Sequence, residues 1–180
     1  MQTLTTPDHE LLERAGQYDA RALAELYDRY AEPIYRYLYR FVGDAAQAED
    51  LTSEVFLKLL QVLDTPRAPH ERLPGWLYGV AHNLATDWFR SHSRNPAMSL
   101  AEDLVAGGDL PSTILEKRQT QKQLRAALRR LTTDQQRVIL LRFGEGFKVG
   151  EVARLLGKSE GAVKILQHRA VQRLRKLMES

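Results

Sequence analysis

Apolar residues recur at three-and-four spacing along most of this chain, and the breaks in that rhythm mark out its elements. From Asp8 to Val42 the series is Leu11, Leu12 and Ala15, then Leu23, Leu26, Tyr27, Tyr30, Ile34, Tyr37, Leu38 and Phe41. Gly16 separates a short first helix from a second that Asp19 can cap. Pro33 lies inside the second and is expected to kink it or divide it near Ala31, because proline has no amide hydrogen to give. Tyr27, Tyr30, Tyr35, Tyr37 and Tyr39 are expected in the core and at its rim, since several fall on the apolar stripe. Gly43 ends this stretch. Asp44 caps a third helix from Ala45 to about Val62, in which Leu51, Val55, Leu59 and Val62, with Phe56 and Leu63, face inward. Glu49, Asp50, Ser53, Glu54 and Lys58 lie outside that stripe, as a solvated face or as a dock for a basic helix. Asp64 to Arg72 has two prolines and no rhythm, hence a loop. A fourth helix follows from Pro74 to about Arg94, with Trp76, Leu77, Val80, Leu84 and Trp88 toward the core. Trp88, Phe89, Arg90, His92 and Arg94 gather at its end; rings beside cations suit either a core edge or single-stranded DNA, whose bases stack on rings.

Asn95 to Ser112 carries two prolines and adjacent glycines with one weak apolar cluster at Leu100, Leu104 and Val105, the composition of a flexible tether. Helix resumes from Thr113 to Arg130 with Ile114, Leu115, Leu124, Ala127 and Leu128. Thr132 and Gln135 can form a capping box at the next helix. Val138, Ile139, Leu141 and Phe143 are expected to bury that helix, and Gly144 and Gly146 to break it. The pattern predicts an all-α protein of two small helical domains, residues 1–94 and 113–180, joined by a flexible linker, 95–112, that leaves their relative placement open.

The last part of the chain has the spacing of a helix-turn-helix. Two helices that cross closely need a small residue at the crossing, which Ala153 supplies, and a turn with positive φ, which Gly157 enters cheaply. Ser159 can cap the second helix. At 100° per residue Val163, Leu166, Ala170, Leu174 and Leu177 form one stripe, whereas Gly161, Lys164, Ile165, His168, Gln172 and Arg175 lie opposite. That opposite face fits the major groove: Lys164 and Arg175 toward phosphates or guanine edges, His168 and Gln172 toward bases, Ile165 toward a thymine methyl.

Charge sharpens this picture. Residues 1–95 carry 10 Lys and Arg against 14 Asp and Glu, 96–116 none against 4, and 117–180 carry 16 against 5, so attraction for a polyanion concentrates at the carboxyl end. The chain has no cysteine, which removes disulfides and thiol chemistry, and no apolar run approaches a membrane span. Acidic residues in MQTLTTPDHELLER oppose a signal peptide, so a cytoplasmic location is expected. Gly157, Lys158 and Ser159 resemble the end of a nucleotide-binding loop, but Val152 stands where that loop needs glycine, and the five histidines have no ligand spacing. No catalytic, cofactor-binding or metal-binding residue is expected.

Taken whole, the chain resembles an extracytoplasmic-function sigma factor of bacterial RNA polymerase. The likeness rests on ALAELYDRYAEPIYRYLYRFVGDAAQAEDLTSEVFLKLL, LPGWLYGVAHNLATDWFRSHSR and LRAALRRLTTDQQRVILLRFGEGFKVGEVARLLGKSEGAVKILQHRAVQRLRKL, in the family's order with a linker between. It implies core RNA polymerase as a partner, through its β′ clamp helices and β flap, with promoter DNA and an anti-sigma factor. It implies polymerase contacts at Asp50, Ser53, Glu54 and Lys58, Ser53 standing where the family usually has glutamine. The Asp64–Leu73 loop would accept a flipped base of the minus-10 element, and Asn83, Asp87, Trp88, Arg90 and Arg94 would border the strand-separating surface; Ser91 and Ser93 replace arginines common there. The minus-35 element would fall to Lys158, Ser159, Lys164, Ile165, His168 and Arg169; Ala162 stands where threonine is common and Ile165 where a small polar residue is. Two rivals make different predictions. A dimeric operator-binding regulator would protect symmetric half-sites by itself, and a helical adaptor would show no salt-dependent DNA affinity.

Overall fold

The computed structural model describes residues 6–92 and 112–179. Its elements are α1 (Asp8–Gly16), α2 (Ala20–Val42), α3 (Ala45–Val62), α4 (Leu73–His92), α5 (Ser112–Arg129), α6 (Thr133–Ile139), a π-helical turn (Leu140–Gly144), α7 (Val149–Leu156) and α8 (Glu160–Met178). No strand occurs among the described residues, so the protein is all-α. Residues 93–111 lie outside the described residues, and with them the expected boundary after Arg94, nearly all of the tether, and Leu100, Leu104 and Val105.

The helix boundaries follow local chemistry. The Asp19 carboxylate accepts from the Arg21 and Ala22 amides, Asp44 accepts from Gln47, and Thr132 with Gln135 forms the reciprocal capping box. Pro33 does not divide α2, which runs unbroken from Ala20 to Val42. Ile34, Tyr37, Leu38 and Phe41, all buried just beyond the proline, anchor the second half of the helix, and this burial outweighs one missing hydrogen bond.

Helices α1 to α4 close around Leu11, Leu26, Ile34, Tyr37, Val55 and Leu77. Not every tyrosine of α2 joins them: Tyr37 is buried, but Tyr27 is 47% exposed, its ring set against Phe56 at 4.8 Å, and Tyr39 is also exposed. Trp76 is only partly buried, and Tyr78 takes the deeper place on α4. Among the carboxyl-terminal helices, α8 packs on α5, α6 and α7 through Val163 and Ala170. Phe143 was expected inside and is 61% exposed. The backbone widens into the π-helical turn at Leu140, which advances the register by about one residue; Leu140 and Leu141 take the interior and Phe143 swings out.

One apolar cluster runs through both sets of helices, and α4 packs on α7 while α2 meets α5 and the π-helical turn. Deep in it the Tyr37 hydroxyl and His82 Nδ1 share a 3.0 Å hydrogen bond. Burial, with the nearby Arg137 charge, pushes His82 down to about 4, so its ring is neutral.

Candidate nucleic-acid interface

Gly157 takes φ +62°, the left-handed conformation that turns the chain between α7 and α8, and Ala153 is buried at the crossing. The Ser159 hydroxyl accepts from the Ala162 amide at 3.2 Å and starts α8. Arg142 fixes α8 from the other end of the motif, donating through Nε to Gln167 Oε1 at 3.0 Å and through Nη1 to the Phe147 carbonyl. With Val163 and Ala170 buried, the opposite face of α8 is turned to water: Lys164, Ile165, His168, Arg169, Gln172 and Arg175 are all exposed. Ile165 is 54% exposed, an apolar side chain without a core role on a basic surface. The Gln172 amide nitrogen lies 2.9 Å from His168 Nε2, one turn back on the same exposed face. Lys158 stands apart from this row, ion-paired to Asp134 at 2.8 Å, and its contact with DNA would require that pair to loosen.

The candidate residues on α4 divide. Asn83, Asp87 and Arg90 are exposed along one side of the helix, Asp87 and Arg90 paired at 3.2 Å. Trp88 is partly buried, stacked on His92 with centroids 4.2 Å apart and edge-on to Phe89 at 4.7 Å. Phe89 takes the core-edge place. Its ring meets Phe41 of the core edge-on at 5.5 Å, and one face is covered by the Arg129 guanidinium at 4.1 Å. Arg94 lies outside the described residues.

On α3, Asp50, Ser53 and Glu54 are exposed and Lys58 half-buried, 3.8 Å from Glu54; the Ser53 hydroxyl donates back to the Glu49 carbonyl. Beside them stand Leu57, 57% exposed, and Leu60. Sequence reasoning passed over both. Their signal was available: two leucines off the core stripe, Leu57 one turn and Leu60 about two turns beyond Ser53, give a charged edge the apolar centre that a docking surface needs.

Residues 26–95 match the Sigma-70 region 2 family and residues 121–174 the Sigma-70, region 4 family. The ECF RNA polymerase sigma factor SigX of Bacillus subtilis (strain 168) is 34% identical over 160 residues, covering 86% of this chain and 82% of SigX. The chain belongs to the extracytoplasmic-function sigma factors. Its two matched segments are the family's region 2 and region 4, in that order along the chain. The ECF RNA polymerase sigma factor BldN of Streptomyces coelicolor (strain A3(2)) is 40% identical over 171 residues, which are 94% of this sigma factor but 65% of BldN. This sigma factor therefore spans just under two thirds of that relative's length. In fold it is similar to CnrH, solved in complex with the cytosolic domain of CnrY, at a TM-score of 0.66 and 22% identity over 96% of this chain and 97% of that one. None of its described helices is long and apolar enough to cross a membrane.

Proposed function

We propose a division of labour between the two ends of this sigma factor. The row Lys164, Ile165, His168 and Arg169, with Lys158 and Ser159 at the head of α8, reads the minus-35 element in the major groove. Asn83, Asp87, Trp88, Arg90 and Arg94 border the surface that captures the melted minus-10 strand, and Asp50, Ser53, Glu54 and Lys58, centred on Leu57 and Leu60, grip the β′ clamp helices. The carboxyl-terminal helices engage the β flap. In this division residues 1–94 and 113–180 act as separate modules tethered by 95–112. Melting is driven by capture of unstacked bases, with no reaction catalysed by the chain itself. The protein works in the cytoplasm, and an anti-sigma factor holds it inactive; the complex of CnrH with a second protein supports that last part of the reading.

The observation that carries the reading is the exposed face of α8, where an isoleucine stands among basic and amide side chains while the reverse face is buried. Run-off transcription with purified core polymerase on the DNA upstream of its own gene tests it. Wild type is expected to start a discrete transcript and to protect an asymmetric promoter only with polymerase. Glu54→Arg is expected to abolish the transcript and co-purification with polymerase. Lys164→Ala is expected to retain co-purification but lose minus-35 recognition. Tight, symmetric protection by the protein alone would replace this reading with that of an operator-binding dimer.

A further inference from the structure

Tyr18 occupies a backbone position that suits glycine. Helix α1 ends in a doubly bonded turn, in which the Tyr18 amide donates to the Ala15 carbonyl at 3.0 Å and the Asp19 amide to the Arg14 carbonyl at 3.1 Å. The residue at the bend of such a turn takes the left-handed conformation, and Tyr18 has φ +59°. The other described residues with positive φ, Gly43, Gly146 and Gly157, are glycines, for which that conformation brings no side-chain clash. A bulky side chain there is strained, and burial does not offset the strain, because Tyr18 is 78% exposed. Its hydroxyl donates to Asp64 Oδ2 at 3.4 Å, a long hydrogen bond in an exposed place that recovers little. The fold by itself therefore gives no reason for a tyrosine here.

The surroundings of the ring supply one. A Cβ at Gly16 would stand 3.2 Å from the Leu63 carbonyl oxygen, so the turn is seated closely against the end of α3. Leu63 keeps a right-handed helical backbone, and Asp64 follows in register with α3. Asp50, Ser53, Leu57, Leu60 and Asp64 then fall three and four apart on one exposed side, and the Tyr18 hydroxyl meets the last of them. Leu57, Leu60 and Tyr18 thus continue the face given above to the β′ clamp helices. Charge selects the kind of partner. Glu49, Asp50, Glu54 and Asp64 outnumber Lys58 along this side, and Asp19 follows Tyr18, so a phosphate chain is repelled and a basic protein surface attracted. Tyrosine is among the side chains that most often anchor protein contacts, since a broad ring is immobilised at the cost of few rotatable bonds.

We propose that Tyr18 is an additional anchor for core polymerase, carrying the docking face of α3 across to the α1–α2 turn, and that the left-handed backbone is tolerated because it holds the ring there. This rests on the polymerase-docking role given above to α3 and extends it to the first two helices.

Thermal unfolding of the full-length protein and its affinity for purified core polymerase test the proposal together. Tyr18→Gly relaxes the backbone and removes the ring. Its melting temperature is expected to rise by about 2–4 °C while its affinity for core falls about ten-fold. Tyr18→Phe keeps the ring and is expected to bind core within about three-fold of wild type. Unchanged core affinity in Tyr18→Gly would overturn the proposal, and so would a lower melting temperature, which would make the ring part of the fold. Weaker binding of a mixed-sequence single-stranded oligodeoxynucleotide with core affinity intact would overturn it in favour of a base-stacking role. Glu54→Arg separates this proposal from the reading beneath it. If Glu54→Arg loses core and Tyr18→Gly does not, the α3 face stands without Tyr18; if neither loses core, the docking reading itself falls.

Discussion

His82 is a histidine kept neutral by its surroundings, and that has a measurable consequence. In the unfolded chain its ring takes up a proton near the ordinary 6.5, but in the fold not until about 4. Between those values the unfolded state binds more protons, so stability falls as pH drops from 6.5 to 4 and levels off below. The interval corresponds to about 3 kcal/mol at most. Urea midpoints across pH 4–7 are expected to fall less steeply for His82→Gln than for wild type; parallel profiles would mean that the buried ring is not the source. Lys164 offers a second test at the same scale. If its ammonium meets a phosphate, Lys164→Ala should lower the slope of log affinity against log salt for duplex DNA by about one. Residues whose roles are set by their immediate neighbours were legible in the sequence: Gly157 for its positive φ, Ser159 as a cap, Thr132 with Gln135 as a capping box. His82 was not, because nothing local announces a hydrogen bond to Tyr37, 45 residues away.

Along whole elements, periodicity gave the right helices and misjudged some of their faces. In α6 and the π-helical turn the apolar residues were read at a constant 100° per residue; the wider turn at Leu140 breaks that register and turns Phe143 outward. In α2 the unbroken path through Pro33 depends on the core beneath Ile34 and Tyr37, a tertiary effect that overrides a local preference. Helix α3 shows the converse error, in which attention to charge hid Leu57 and Leu60. An exposed leucine adds little to the fold, so Leu57→Asp is expected to shift the urea midpoint by less than about 0.5 kcal/mol of stability. As the apolar centre of a polymerase-docking face it should cost about 1–2 kcal/mol of binding, roughly a ten-fold loss of affinity for core. Co-purification and a denaturation curve on the same preparation distinguish the two; equal loss in both would mean that Leu57 acts through the fold and not as a docking contact.

For the molecule as a whole, the docking of its two ends was beyond reach of pattern reading. Glu145 is a glutamate in a glycine-flanked turn until the fold brings it to Arg36 and Arg40, more than a hundred residues earlier in the chain. Charge counts nonetheless favour the association, because residues 117–180 are strongly basic and residues 1–95 carry an acidic excess. The two contributions respond differently to salt. Attraction between exposed charges on the two ends fades as the screening length shrinks from about 10 Å at 0.1 M to about 3 Å at 1 M, whereas the Glu145 ion pairs, withdrawn from solvent, are screened far less. Wild type is therefore expected to keep its radius of gyration between about 0.1 and 0.5 M salt in X-ray scattering, held by the buried ion pairs and the shared apolar cluster. Glu145→Ala, left with the screened attraction and weakened packing, is expected to expand over the same range. Expansion of both proteins to the same extent would assign the docking to surface charge alone, and Glu145 would then be a buried ion pair without a hold on the arrangement.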